Sequence, residues 1–235
     1  MLGTRVVLKR NGKDEAEKPF WISFADMMTA LMVLFLVVMG VALLAITHKE
    51  IVQVTAAEEH RRNIDFCFAR LSERALDYEG IQVDEARQAI DFGDIARFAF
   101  AKSTLMPQQE AAIRQFIPEV LNLANDDICK TVFKRVIVEG YTDSKGSYLS
   151  NLNLSLQRSQ RVLCAVFSNK GDALISEGQK EQVRSLFLVG GYSFNNTRDS
   201  DEESRRVEMR IEVLGTGEKR PEPLPSDNNY GECAL

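Results

Sequence analysis

Histidine is nearly missing from this chain. There are two in 235 residues, His48 and His60, and none between residues 89 and 214. That argues against a Ser-His-Asp hydrolase centre in the later part of the chain. There is no C-x-x-C pair, and the two histidines make no zinc-ligand spacing. Neither a P-loop nor a G-x-S-x-G elbow occurs. The expectation is therefore no enzyme, no metal and no cofactor. Fourteen glycines and six prolines are too few for a collagen-like or Pro-rich chain. Positive charge is not in excess either: 29 Lys and Arg face 34 Asp and Glu, a net of −5. Direct nucleic-acid binding would call for a basic domain. A mean hydropathy of −0.18 excludes a polytopic membrane protein. It leaves room for one span, because the apolar residues are unevenly placed. The length suits one ordinary domain with an appended segment.

The appended segment lies near the start. Residues 20–46 read FWISFADMMTALMVLFLVVMGVALLAI and contain a single charge, Asp26. As a helix this stretch is roughly 40 Å long, enough to cross a hydrocarbon core of about 30 Å. A cleaved signal peptide is the competing reading. Its apolar region would be too long, and the leader carries Asp14, Glu15 and Glu17. A retained transmembrane helix over 20–47 is expected, after an N-terminal segment 1–19. Arg5, Lys9, Arg10, Lys13 and Lys18 precede the span, whereas Lys49 alone follows it before Arg61. This bias puts the N-terminus in the cytoplasm and the rest outside, in the periplasm of a Gram-negative host. Trp21 suits an interfacial anchor.

Asp26 is the informative residue. A carboxylate in the hydrocarbon region costs about 2.5–3.5 kcal/mol on insertion scales, and Asp is too short to snorkel. Ser23, Asp26, Thr29 and Ala30 share one helix face. A static hydrogen bond between helices is one reading. The other is an ion carrier: desolvation favours the neutral acid, and water or a cation reverses that. Such a group takes up and releases a proton, or coordinates Na⁺, and a lone span needs partner helices to seal it from lipid.

After the span, residues 48–88 read as a charged helical connector. Residues 89–214 read as an α+β domain of order β-α-β-α-β-β. Its expected pieces are a strand in ARFAFAKSTL, a helix from Pro107 to Ala124 interrupted at Pro118, a strand in TVFKRVIVEGYTD and a helix in LNLSLQRSQRVLCAVFSNKG. Strands in VRSLFLVGGYS and SRRVEMRIEV complete it. Residues 215–235 are polar and Pro-rich and read as a disordered tail. Four cysteines follow the span, at 67, 129, 164 and 233, and an oxidising compartment permits disulfides. Cys129 precedes a strand and Cys164 lies late in the helix running back beside it, so Cys129–Cys164 is the expected bridge. Cys67 and Cys233 are left open: paired together, paired across a dimer, or free.

Three ordered pieces carry a likeness: GYTD at 140–143, NLNLSLQRS at 151–159 and SRRVE at 204–208. They resemble the OmpA-like peptidoglycan-binding domain, with its G-H-T-D, N-x-x-L-S-x-x-R-A and N-R-R-V-E. Tyr141, Ser159 and Ser204 depart from that pattern. The resemblance implies that Asp143 takes the ammonium, and Arg158 the carboxylate, of the diaminopimelate in a stem peptide. Thr142 and Asn151 would add hydrogen bonds. The chemistry is sound in itself, since a fixed acid and a bidentate guanidinium match a zwitterion. The alternative is a turn-capping Asp143 and a surface ion pair at Arg158. Arg205 and Arg206 read as residues that orient the last strand.

A span with an embedded Asp joined to such a domain resembles the MotB family of stator subunits. The string PFWISFADMMTALMVLFLVVMG looks closest to the MotB-like subunits of Zorya phage-defence systems. That resemblance implies a homodimer of inner-membrane chains inside a ring of five MotA-like (ZorA-like) membrane subunits, driven by ions at Asp26 and fixed to peptidoglycan. A flagellar stator, an ExbD- or TolR-like transducer and a non-conducting wall tether are the other readings.

Overall fold

The computed structural model describes residues 14–223 and 229–233. Residues 1–13, which carry four of the five basic residues expected to set the orientation, lie outside the described residues, as do parts of the tail. The chain divides into two compact units, Met1–Ala56 and Ala57–Leu235. The described part of the first is helix α1 (Asp14–Ala75) up to residue 56. Its mean hydropathy over the most apolar window is 2.8, and none of that window is buried in the chain. Among the described residues it is the one helix long and apolar enough to cross a membrane.

The second unit is an α+β fold. It begins with the last turns of α1, then β1 (Gln82–Asp84), β2 (Ala89–Asp91) and a 3-10 turn at Gly93–Ala96. Helix α2 (Pro107–Ala124) leads to β3 (Phe133–Gly140). Next come α3 (Tyr148–Phe167), α4 (Glu177–Leu186), β4 (Phe187–Gly191), the short α5 (Asp201–Ser204) and β5 (Val207–Val213). The sheet order is β1-β2-β5-β3-β4. Only β3 and β4 pair in parallel, joined by the α3–α4 crossover; the other neighbours are antiparallel.

Strand alternation sets the two sheet faces. Val136 and Val138 of β3, and Val207, Met209 and Ile211 of β5, enter one core with Ile113, Phe116, Ile117 and Val120 of α2 and Val162 and Val166 of α3. The opposite face carries Glu139, Glu208 and Arg210: Arg210 donates across strands to Glu139 at 2.7 Å, and Arg206, just before β5, donates to Glu208 at 2.6 Å.

Several expectations are corrected here. The charged connector expected over 48–88 does not stand wholly outside the domain. Cys67, Phe68, Leu71 and Ala75 are buried in the core, and the Phe68 ring lies 5.6 Å from Phe133. Burying a Phe or Leu side chain contributes about 1.5–3 kcal/mol, so residues 57–75 are part of the domain. The first strands are β1 and β2, before the expected ARFAFAKSTL, which forms a 3-10 end, one bridge at Arg97 and a turn. The sequence VRSLFLVGGYS divides between the end of α4 and β4, and α4 itself was not expected. Helix α2 continues through Pro118.

The disulfides differ too. Cys67 pairs with Cys129 and Cys164 with Cys233, with Cα separations of 5.6 and 5.8 Å. Cys129–Cys164 does not form. Once α1 enters the core it offers Cys129 a buried partner, and Cys164 turns instead to the tail. That tail is docked where it is described. The Arg220 guanidinium donates to the carbonyls of Phe133 and Ala124 at 2.9 and 2.8 Å, Glu218 pairs with Lys134 at 2.7 Å, and the Tyr230 ring lies 4.9 Å from Phe167.

Candidate functional site

In the first unit Asp26 sits on an exposed helix surface in a shallow groove with Thr29, Ala30, Val33, Leu34, Val37 and Val38. The Thr29 hydroxyl donates to the Asp26 carbonyl oxygen at 2.8 Å, a local i−3 bond. The groove is apolar apart from these two residues.

In the second unit a polar site forms where α3 crosses the carboxyl ends of β3 and β4. Two glycines permit the crossing. A Cβ on Gly140 would stand 1.9 Å from the Ser155 carbonyl oxygen, and one on Gly191 would stand 2.7 Å from the Leu156 nitrogen. The helix therefore rests on strand backbone. Ser155 ties the layers together: its hydroxyl donates to the Leu152 carbonyl at 2.8 Å and accepts from the Ser193 N–H at 3.0 Å. The Ser193 carbonyl in turn accepts from the Thr142 N–H at 2.9 Å.

The loop between β3 and α3 is closed by its own side chains. Asp143 Oδ1 accepts from the Lys145 N–H at 3.2 Å, and the Asn151 amide donates to the Lys145 carbonyl at 2.9 Å. The Ser147 hydroxyl caps α3 by accepting from the Ser150 N–H. Thr142 is buried, and its hydroxyl has no partner among the described residues.

Arg158 is wholly buried. Its guanidinium donates to three carbonyls: Lys102 from Nε at 3.0 Å, Tyr141 from Nη1 at 2.7 Å and Ala99 from Nη2 at 3.4 Å. It also lies 5.1 Å from the centre of the Phe98 ring. The unexpected absence of a strand over 97–105 explains two of those bonds, because the carbonyls of Ala99 and Lys102 are not taken up by a ladder. Burial pushes the guanidinium pKa down to about 10; Arg205 pushes the same way, and the nearby Asp143 charge opposes both.

Thr142, Asp143, Asn151 and Arg158 are thus brought together, but Asp143 and Arg158 do not form an ion pair. Asp143 pairs with Arg205 instead, Nη1 to Oδ2 at 3.0 Å, and Arg205 Nε donates to the Phe98 carbonyl at 3.1 Å. Arg205 is the site residue that sequence reading missed. The S-R-R-V-E string marked the position, but alternation along the strand could not say which arginine faces the acid. Arg206 faces the other way, 4.4 Å over the Tyr141 ring, and the Tyr141 hydroxyl donates to Glu139 at 2.7 Å. Burial, then Glu139, raises the Tyr141 pKa well above the tyrosine range.

Residues 8–55 match the family model described as membrane MotB of the proton-channel complex MotA/MotB. The chain is 41% identical over 227 residues to the Zorya protein ZorB of Escherichia coli O139:H28, covering 94% of this chain and 91% of that one. Among solved structures it is similar to the cell wall anchor of the type VI secretion system from Pseudomonas aeruginosa, at 20% identity and a TM-score of 0.38 over 63% of this chain and 97% of that one. It is also similar to the periplasmic domain of Helicobacter pylori MotB, at 13% identity and a TM-score of 0.40 over 58% and 90% of the two chains.

Proposed function

The chain belongs to the family of the Zorya protein ZorB, whose members are MotB-like stator subunits, and from that membership we propose that it carries ions and grips the cell wall in a membrane motor serving phage defence. The observation that carries this reading is the presence in one chain of a lone apolar span holding Asp26 and a domain holding the Asp143–Arg158 site.

In this reading Asp26 is the carrier. Taking a proton makes it neutral and compatible with lipid-facing partner helices, and releasing it restores the charge. Moving one charge through 100 mV yields about 2.3 kcal/mol, enough to bias a mechanical step. The ion is a proton, with Na⁺ as the alternative. The groove beside Asp26 accepts a helix of a MotA-like, ZorA-like subunit, and two copies of this chain sit inside a ring of five such subunits. The basic N-terminal residues keep that end in the cytoplasm, leaving the domain in the periplasm. There Asp143 takes the ammonium and Arg158 the carboxylate of diaminopimelate in a peptidoglycan stem peptide, with Thr142 and Asn151 adding hydrogen bonds. The wall holds the dimer still so that the ring, rather than the dimer, turns.

The test has two arms. In cells, Asp26→Asn should abolish protection against phage, and in vesicles holding the assembled complex it should abolish the proton leak. Full protection with Asp26→Asn would leave only a tether. For the grip, Asp143→Ala or Arg158→Ala should abolish retention on purified sacculi. The match to the MotB family model favours a flagellar stator as the second reading, which expects restored swimming in a stator-null strain.

A further inference from the structure

Asp143 and Arg158, the residues that would grip a zwitterion, are 3% and 0% exposed. A ligand therefore reaches them only if something moves. The Arg205 side chain covers the acid, and it is 12% exposed. Its cationic group already holds the carboxylate that a ligand ammonium would need. The backbone of Arg205 is fixed: its N–H donates to the carbonyls of Asp201 and Glu202 at the end of α5, and its carbonyl accepts from the Phe98 N–H at 2.9 Å. Exchange must then be a side-chain movement. A second keeper stands ready, because Glu202 Oε1 lies 3.8 Å from Arg205 Nη2 and Glu202 is largely exposed. Next to it, Asp201 is held by Lys145 at 2.7 Å and so is not free to take that role.

The charges support a displaceable partner. Two guanidinium groups, Arg158 and Arg205, lie near one buried carboxylate, and only Arg205 is paired with it. Arg158 cannot leave, since three backbone carbonyls hold it. It spends three of the five N–H donors that a guanidinium has, which leaves two for a ligand carboxylate. Arg205 holds Asp143 through a single bond at 3.0 Å. Of the two cations, Arg205 is the one that an incoming ammonium can replace.

We infer that Arg205 is a latch that sets the affinity of this site: it occupies Asp143 when the site is empty and swings to Glu202 as a ligand ammonium takes its place. This rests on the wall-gripping reading of the site. The latch lowers apparent affinity by the fraction of molecules in which it is closed, so its removal should tighten binding.

The experiment uses the full chain in detergent and a stem tetrapeptide containing diaminopimelate, titrated calorimetrically. Arg205→Gln should bind about five- to tenfold more tightly than the unaltered protein. Glu202→Ala, an exposed change that spares the fold, should bind about twofold more weakly because the open position loses its keeper. Asp143→Ala should not bind. If Arg205→Gln binds equally or less tightly while Asp143→Ala is inert, the latch is wrong and the grip stands. If Arg205→Gln does not fold, Glu202→Ala decides, and unchanged affinity overturns the latch. If the unaltered protein does not bind, or Asp143→Ala binds as well as it does, the wall-gripping reading falls and the latch with it.

Discussion

Glu208 is a fully buried acid whose environment can be read from its partners. Burial alone would raise its pKa. The bond and charge from Arg206, then Arg198 and Arg87, outweigh that and hold it below the ordinary glutamate value. Arg206 donates at 2.6 Å, Arg198 at 2.7 Å, and Arg87 also contacts it. The sign follows from linkage: a carboxyl lowered on folding adds stability above its unfolded pKa, and that stability is lost as pH falls through the folded value. Glu208→Gln should therefore flatten the fall in melting temperature below about pH 4. It should also destabilise the domain by about 3 kcal/mol at neutral pH, because buried Arg206 loses its acid. Thermal melts from pH 2 to 7 check both. An unchanged acid limb would mean that the network does not govern acid unfolding. SRRVEMRIEV reads as an alternating strand, which sets Glu208 on one of its two faces. It could not show that three arginines converge there, because Arg87 arrives from a turn 121 residues away and Arg198 from the loop before α5.

At the scale of elements, the strand–loop–helix unit of β3 and α3 is the part most legible in sequence. TVFKRVIVEG alternates, GYTD breaks the run, and the apolar spacing of the next twenty residues is helical. What the pattern does not contain is how closely the two pieces approach. Gly140 is the reason they can meet at backbone distance. Gly140→Ala would force its Cβ against the Ser155 carbonyl, and a fixed backbone atom cannot yield as a side chain does. The expected cost is about 3 kcal/mol, and the proposed wall grip adds weakened sacculus retention, because Arg158 rides on the displaced helix. Guanidinium unfolding and a sacculus pull-down measure the two. A stable Gly140→Ala protein with full retention would show that α3 tolerates the shift. The first strand was misplaced for a similar reason: ARFAFAKSTL opens with the alternation of a strand, yet its carbonyls at 99 and 102 are taken by Arg158 from another element.

For the second unit as a whole, the two disulfides join segments that no local pattern links. Cys67–Cys129 closes a loop of 62 residues and fastens the end of α1 to the turn before β3; Cys164–Cys233 fastens the tail to α3. The chain-entropy estimate for a loop of that length is about 4 kcal/mol. Cys67→Ala with Cys129→Ala should therefore lose about 4 kcal/mol in denaturant unfolding, with no new inter-chain bridge. Peptide mapping without reductant should recover 67 with 129 and 164 with 233. Recovery of a 129–164 peptide would overturn the pairing.

The span, its single acid, and the ordered pieces GYTD, NLNLSLQRS and SRRVE are properties of composition and local spacing, and the sequence alone determined them. A helix in lipid must be apolar and a strand in a half-buried sheet must alternate, so these constraints are written into neighbouring residues. The partner of Asp143, the entry of residues 57–75 into the core, the disulfide pairs and the docking of the tail were decided only in the tertiary structure. Each depends on which distant groups fill the remaining buried space and satisfy its polar atoms, a condition met by the whole domain at once and visible in no single stretch of it.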